Sequence, residues 1–228
     1  ATVKPHATIP SVMAAAKAVL NESQIENGVA VVDLGGATTS VAVFEEGDLQ
    51  YVGVVSMGGV NITNDLAIGL KTDPEVAEKV KLQHSAAIAR SETRKVSIKH
   101  EKETLFFDQA EIDEIVEARL EEIFELVNKE LKKAGRAGRL PSGAVLTGGT
   151  ANLKGIAEYA KSQLGVAARV GKPHGFGGVA DEIDKPHFAA AVGLMLVDAE
   201  AATVRPHGGN TSKKSGGFIK TLLSKFKP

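Results

Sequence analysis

Residues 31–44 read VVDLGGATTSVAVF, and the rest of the chain is best approached from them. The apolar run Val29 to Val32 predicts a buried strand that ends at Asp33. Gly35 and Gly36 then turn the chain, and a second strand leaves over Ser40 to Phe44 with Val41 and Val43 on one face. Glycines in such a turn let backbone N–H groups approach phosphate oxygens closely. Thr38 and Thr39 add hydroxyl donors. Asp33 can hold a magnesium ion, directly or through water, or orient an attacking water. Taken alone, the stretch reads more readily as a plain hairpin with glycines in its turn than as a nucleotide site.

A second turn lies more than a hundred residues on. LTGGTANLKGI, residues 146–156, follows a short strand at Ala144 to Leu146 and leads into a helix expected from Ala151 to Leu164. Gly148 and Gly149 allow a base or ribose to lie against the backbone, and Thr150 follows them. A helix beginning near Ala151 would offer free N–H groups and a positive dipole end. An ordinary strand–turn–helix fits this segment as well as a nucleotide site does. The two turns together carry more than either alone.

Between and around them the pattern is α/β. Ser11 to Leu20 is alanine-rich and helical. Leu49 to Val55 is a third strand, joined to the second by a hairpin turn at Glu46-Gly47-Asp48. After Met57-Gly58-Gly59, a helix is marked by Ile62, Leu66 and Leu70. Asp73-Pro74 starts another, with an acceptor at the N-cap and proline at the first position, expected to run to about Ala89. Lys95 to Ile98 and Thr104 to Phe107 are short strands. Asp108 and Glu111 resemble a capping box for a long helix ending near Ala134-Gly135. Its stripe is Ile112, Ile115, Val116, Leu120, Ile123 and Val127. Val166 to Val170 is a strand and Pro186 to Val197 an apolar helix. Residues 199–215 read as a Gly-, Ser- and Lys-rich linker.

The 228 residues carry a net charge of −1 and no cysteine. That length suits one or two domains of about 100–200 residues each. The charge gives no global reason for nucleic-acid binding, and none is expected. Without cysteine there is no disulfide framework and no thiolate metal site. The six histidines are scattered without ligand spacing. No apolar run approaches the roughly 18–20 residues that span a bilayer. No signal peptide opens the chain, and the opening ATVKPHATIP reads as a fragment or a processed product.

A strand ending in Asp-x-Gly-Gly-x-Thr-Thr, followed much later by a strand ending in Thr-Gly-Gly, resembles the actin, heat-shock-chaperone and sugar-kinase superfamily. The finer match is to the FtsA family of bacterial cell-division proteins. It is carried by MAAAKAVLNESQIENGVAVVDLGGATTSVAVF, by MGGVNITNDLAIGLKTDPEVAEKVKLQHSAA and by DEIDKPHFAAAVGLMLV. The resemblance covers nearly the whole chain. It implies an α/β, actin-like (ribonuclease H-like) ATPase lobe with a smaller inserted α/β subdomain. On that reading residues 1–57 and 141–198 form the larger subdomain and 58–140 the insert. The cofactors implied are ATP and Mg2+, at Asp33, Gly35, Gly36, Thr38, Thr39, Gly148, Gly149 and Thr150. Glu78 and Lys81 approach the ribose and base only on the strength of the resemblance. Arg119 and Glu122, three apart on one helix face, fall where the family docks the C-terminal peptide of the tubulin-like protein FtsZ.

The family's first phosphate motif and first lobe are absent, so this chain supplies one wall of a two-walled cleft. Ala37 stands where a third glycine is usual, and Ser40 where aspartate is common. ATP binding with weak or no hydrolysis is therefore expected of the full-length protein, and little activity of this chain alone. The expected role is an adaptor that forms filaments and tethers FtsZ to the cytoplasmic face of the membrane at the division site. A catalytic ATPase or kinase of the same superfamily, or a pilus-assembly relative, are the alternatives. The tail fits the adaptor best. After Gly216-Gly217, the side chains Phe218, Ile219, Leu222, Leu223 and Phe226 fall within an arc of about 140° at roughly 100° per residue. Lys220, Thr221, Ser224, Lys225 and Lys227 fill the rest, which predicts an amphipathic helix over 216–228 lying on an anionic membrane surface.

Overall fold

The computed structural model describes residues 8–88, 94–177 and 183–204, with 202–204 described as backbone only. The membrane-helix expectation at 216–228 lies outside the described residues, as does most of the expected linker.

Two short helices, α1 (Ser11–Val19) and α2 (Glu22–Asn27), lead into β1 (Val29–Leu34), β2 (Thr39–Glu45) and β3 (Asp48–Val55). Next come α3 (Gly59–Gly69), α4 (Pro74–His84), the hairpin β4 (Lys95–His100) and β5 (Glu103–Asp108), and the long α5 (Gln109–Lys133). The described residues close with β6 (Ala144–Thr147), α6 (Ile156–Leu164), β7 (Ala168–Val170) and α7 (Ala189–Val204). Five strands form one mixed sheet in the order β3-β2-β1-β6-β7, with β1 antiparallel to β2 and parallel to β6. The hairpin β4–β5 is a separate two-stranded sheet. Parallel pairing of β1 with β6 brings Asp33 opposite Thr147. That register sets the ends of the two glycine turns side by side.

The alternation of β1 and β2 sorts their side chains onto two covered faces. Val29, Val31, Ala42 and Phe44 pack with α1 and with Ala189 and Val192 of α7. Ala30, Val32, Val41 and Val43 pack with α5, α6 and residues of α3 and α4 in one continuous core. Phe124, which the expected α5 stripe omitted, is fully buried there and meets Tyr159 of α6 edge-on at 5.6 Å. Residues 58–140 therefore carry a small sheet of their own but share a continuous core with the five-stranded one.

Local chemistry accounts for most boundaries. Glu46 (φ 54°) and Gly47 (φ 78°) are both left-handed, as the two-residue β2–β3 turn requires. Pro74 sits in the first turn of α4, although Asp73 makes no side-chain cap bond. The Asp108 carboxylate caps α5 by accepting from Ala110 N at 2.9 Å, a simple cap instead of a reciprocal box.

Four expected boundaries are corrected. Helix α4 stops at His84, not near Ala89, because Ser85 turns extended and Ala86 pairs with Lys154 in a parallel bridge. The helix after the second turn starts at Ile156, not Ala151. A 3-10 turn, Thr150–Asn152, and the left-handed Gly155 (φ 76°) intervene. The last strand is confined to Ala168–Val170. The closing helix runs on to Val204 after a 3-10 turn at Pro186–Phe188, so residues 199–204 are helical where a linker was expected.

Candidate nucleotide cleft

The turn after β1 is held from three directions. Gly35 N donates to Asp33 O at 3.1 Å and to Thr38 O at 3.0 Å, which closes the turn on itself. Gly59 N and Val60 N, at the start of α3, donate to Gly35 O at 2.9 Å and Gly36 O at 2.8 Å. From the second turn, Thr150 Oγ1 donates to Gly35 O at 3.1 Å. Gly35 O is thus the point where the first turn, the second turn and the start of α3 meet. The approach is close enough to need glycine. A Cβ on Gly58 would lie 2.5 Å from Gly36 O and 2.6 Å from Gly35 O. One on Gly148 (φ 87°) would lie 2.4 Å from Leu34 O and 2.7 Å from Asp33 Oδ1.

Asp33 is half-buried, and its Oδ1 accepts from Thr147 Oγ1 at 3.2 Å. Burial pushes its carboxyl above the ordinary carboxylate value, and the Thr147 hydroxyl pulls it part of the way back. Gly36, Ala37 and Thr38 are exposed at the tip of the turn. Thr39 leaves the expected ligand set. It is fully buried, and its hydroxyl donates to Met57 O at 2.9 Å, so it braces the turn from behind.

A cavity of about 460 Å³ opens beside the junction, between Gly36 and Gly59 at one end, α4 along one side, and Gly149 to Lys154 opposite. Gly149 faces open space, with no atom within 4 Å of where its Cβ would stand. Glu78 and Lys81 both line the cavity. Lys81 Nζ donates to Glu78 Oε2 at 2.7 Å, to Thr63 Oγ1 at 2.8 Å and to Gly59 O at 3.1 Å. All three ammonium protons are therefore committed within the wall. Burial works against ionisation of Glu78, but hydrogen bonds from Lys81 and Thr63 outweigh it and hold its carboxyl below the ordinary value. Glu78 stays ionised at neutral pH, and Lys81 fixes both it and the start of α3.

Arg119 and Glu122 lie apart from the cavity on α5, joined by an Nη1–Oε2 contact of 2.5 Å. Arg119 is also forked onto Asp65 of α3, with Nη2 to Oδ1 at 3.0 Å and Nε to Oδ2 at 2.5 Å. These hydrogen bonds to Asp65, with the charges of Asp65 and Glu122, raise the guanidinium further above its ordinary value. Sequence reasoning did not single out Asp65 or Thr63. Their partners lie on other helices, and no local spacing announces them.

Among the described residues no cluster of metal-ligating side chains stands out, and no helix is long and apolar enough to cross a membrane.

Comparison with known proteins agrees with this geometry. The family model for cell division protein FtsA matches residues 30–193. FtsA of Bacillus subtilis (strain 168) is 39% identical over 197 residues, covering 85% of this chain and 43% of that protein. FtsA of Pseudomonas aeruginosa is 35% identical over 188 residues, covering 81% and 45%. The chain spans about half the length of the curated relatives it matches. Among solved structures, MreB5 of Spiroplasma citri bound to ADP superposes with a TM-score of 0.69 at 17% identity, covering 87% of this chain and 61% of that one. The MamK double helical filament superposes with a TM-score of 0.62 at 17% identity, covering 86% and 59%. The fold is that of the actin-like ATPases, and the chain belongs to the FtsA family of cell division proteins.

Proposed function

We propose that this chain is one wall of the ATP-binding cleft of a division adaptor, which polymerises and links FtsZ to the membrane. The observation that carries the reading is the convergence on Gly35 O of Gly59 N and Thr150 Oγ1. It unites the two glycine turns and the insert around one cavity.

In this reading the exposed tip at Gly36 and Thr38 receives the phosphates. Backbone N–H groups and the Thr38 hydroxyl supply donors there without adding bulk. The open space at Gly149, with Gly148 and Thr150, takes the sugar. The ionised Glu78 accepts from ribose hydroxyls, held in place by Lys81. Asp33 suits a magnesium ion: burial disfavours its charge, one hydroxyl is a weak compensation, and a divalent cation would supply the missing counter-charge. Such an ion would neutralise phosphate charge. The opposite wall would come from the remainder of the protein, so this chain alone binds ATP weakly. The neighbours bound to ADP and AMPPNP are consistent with nucleotide as the ligand.

The adaptor role adds two surfaces. Arg119 and Glu122 present the FtsZ peptide site on α5. The tail residues Phe218, Ile219, Leu222, Leu223 and Phe226 enter an anionic membrane. Fully burying such a side chain is worth roughly 1.5–3 kcal/mol, of which shallow insertion retains a fraction. Lysines near the surface add about 1 kcal/mol each before screening. Single tails thus bind reversibly, and filaments bind firmly through many tails. Co-sedimentation of the full-length protein and FtsZ with anionic vesicles tests this. Phe218→Glu or Leu222→Glu should nearly abolish sedimentation, and Ser224→Glu, on the polar face, should weaken it modestly. Arg119→Glu should release FtsZ while the adaptor still sediments. Equal loss from all three tail substitutions would refute the amphipathic anchor, and FtsZ retention by Arg119→Glu would refute the docking site.

A further inference from the structure

Helix α3 is tied to two different regions along its length. At its start, Gly59 N and Val60 N donate to Gly35 O and Gly36 O of the first glycine turn, and Lys81 Nζ donates to Gly59 O at 3.1 Å. Further along, Asp65 takes the guanidinium of Arg119 in a two-point fork, Nη2 to Oδ1 at 3.0 Å and Nε to Oδ2. Gly59 and Asp65 are six residues apart, about 9 Å at 1.5 Å per residue. One helical turn beyond Asp65, α3 again has no room to slide on α5, since a Cβ on Gly69 would lie 2.5 Å from Ile115 Cδ1. A second link runs beside the first. Thr39 Oγ1, behind the glycine turn, donates to Met57 O at 2.9 Å, and the sulfur of the same Met57 lies 3.7 Å from Arg119 Nη1.

The direction in which Arg119 points is therefore set from α3. Of its five N–H groups, the one on Nε and one on Nη2 go to Asp65, and Nη1 turns to Glu122 and Met57. A free arginine has many rotamers to lose on meeting a partner, whereas a forked one is already oriented. We propose that Asp65 is the positioning residue for Arg119, and that through it nucleotide at the glycine turn and the FtsZ peptide at α5 strengthen each other's binding. Phosphates on the N–H groups at the turn tip would hold the turn still, and with it Gly35 O, Gly36 O, α3 and the fork. The peptide then meets an arginine with less freedom left to lose.

This link rests on the nucleotide and docking readings above. Binding of a labelled FtsZ C-terminal peptide to the full-length protein, followed by fluorescence anisotropy with and without ATP and magnesium, tests it. Single peptides gain no avidity from filaments. Wild type should bind the peptide about 5-fold tighter with ATP, the low end of ordinary coupling between sites, and should bind ATP tighter by the same factor with peptide, as reciprocity requires. Asp65→Asn should bind ATP alone as wild type does. It should bind the peptide alike with and without ATP, no tighter than wild type does without ATP. Arg119→Lys, which keeps the charge and loses the fork, should show the same loss of ATP dependence. Wild type that binds no ATP or no peptide would overturn the readings beneath the link. Wild type that binds both, with a peptide affinity indifferent to ATP, would overturn the link alone. ATP dependence that survives in Asp65→Asn would remove Asp65 from it, and a fall in that variant's affinity for ATP alone would assign Asp65 a merely structural part.

Discussion

Glycines 58 and 149 show how one residue type serves two purposes in this cleft. At Gly58 a Cβ would strike two backbone carbonyls, those of Gly35 and Gly36, so the position is sterically closed. Gly58→Ala should part α3 from the first glycine turn and destabilise the free protein by about 1–3 kcal/mol, as overpacking does. At Gly149 nothing stands near the Cβ position, and the backbone is ordinary right-handed helix (φ −65°, ψ −39°). Gly149→Ala should leave the free protein as stable or raise its stability by about 0.4–1 kcal/mol through the unfolded chain, yet weaken ATP by filling the space that the proposed function gives to the sugar. Thermal melting with and without nucleotide separates the pair. A destabilised Gly149→Ala protein with full ATP affinity would contradict this account. Both glycines stand in sequence motifs, and so does Asp33. What the sequence hides is orientation. Thr38 and Thr39 are neighbours of the same type, but one is exposed at the turn tip and the other is buried on Met57 O. Lys81 reads as a free cation until its three acceptors are placed around it.

Elements whose limits are set by local chemistry were legible: the β2–β3 hairpin, the proline-started α4 and the striped α5. Those set by distant partners were not. The end of α4 depends on a bridge to Lys154, and the delayed start of α6 on the same bridge and on left-handed Gly155. The packing of α1 on α7 is a further case. The run Ala14-Ala15-Ala16 reads simply as helix-forming, but its small side chains also admit α7 closely. A Cβ on Gly193 would lie 1.7 Å from Ala14 O. Gly193→Ala should push α7 off α1 and cost about 1–3 kcal/mol or more, outweighing the roughly 1 kcal/mol that alanine gains over glycine inside a helix. Chemical denaturation would check the sign. A stabilised variant would mean that the two helices are not held at this spacing.

In the whole molecule, a five-stranded sheet is covered on one face by α1 and α7 and on the other by a core that runs unbroken into the insert. The strand–turn–strand pattern and the family motifs made that α/β plan legible. The shared core was not, because α5 belongs to the insert by sequence order yet packs on the main sheet. The consequence is mechanical: the first glycine turn, α3, α4 and the second turn are tied together by Gly35 O at one end and the Ala86–Lys154 bridge at the other. Hydrogen exchange of the full-length protein with and without ATP and magnesium tests that directly. The account predicts slowed exchange together in residues 33–39, 58–63, 78–87 and 147–154, and little change in β4–β5. Slowing confined to one of the two glycine turns, or centred on the hairpin, would contradict it.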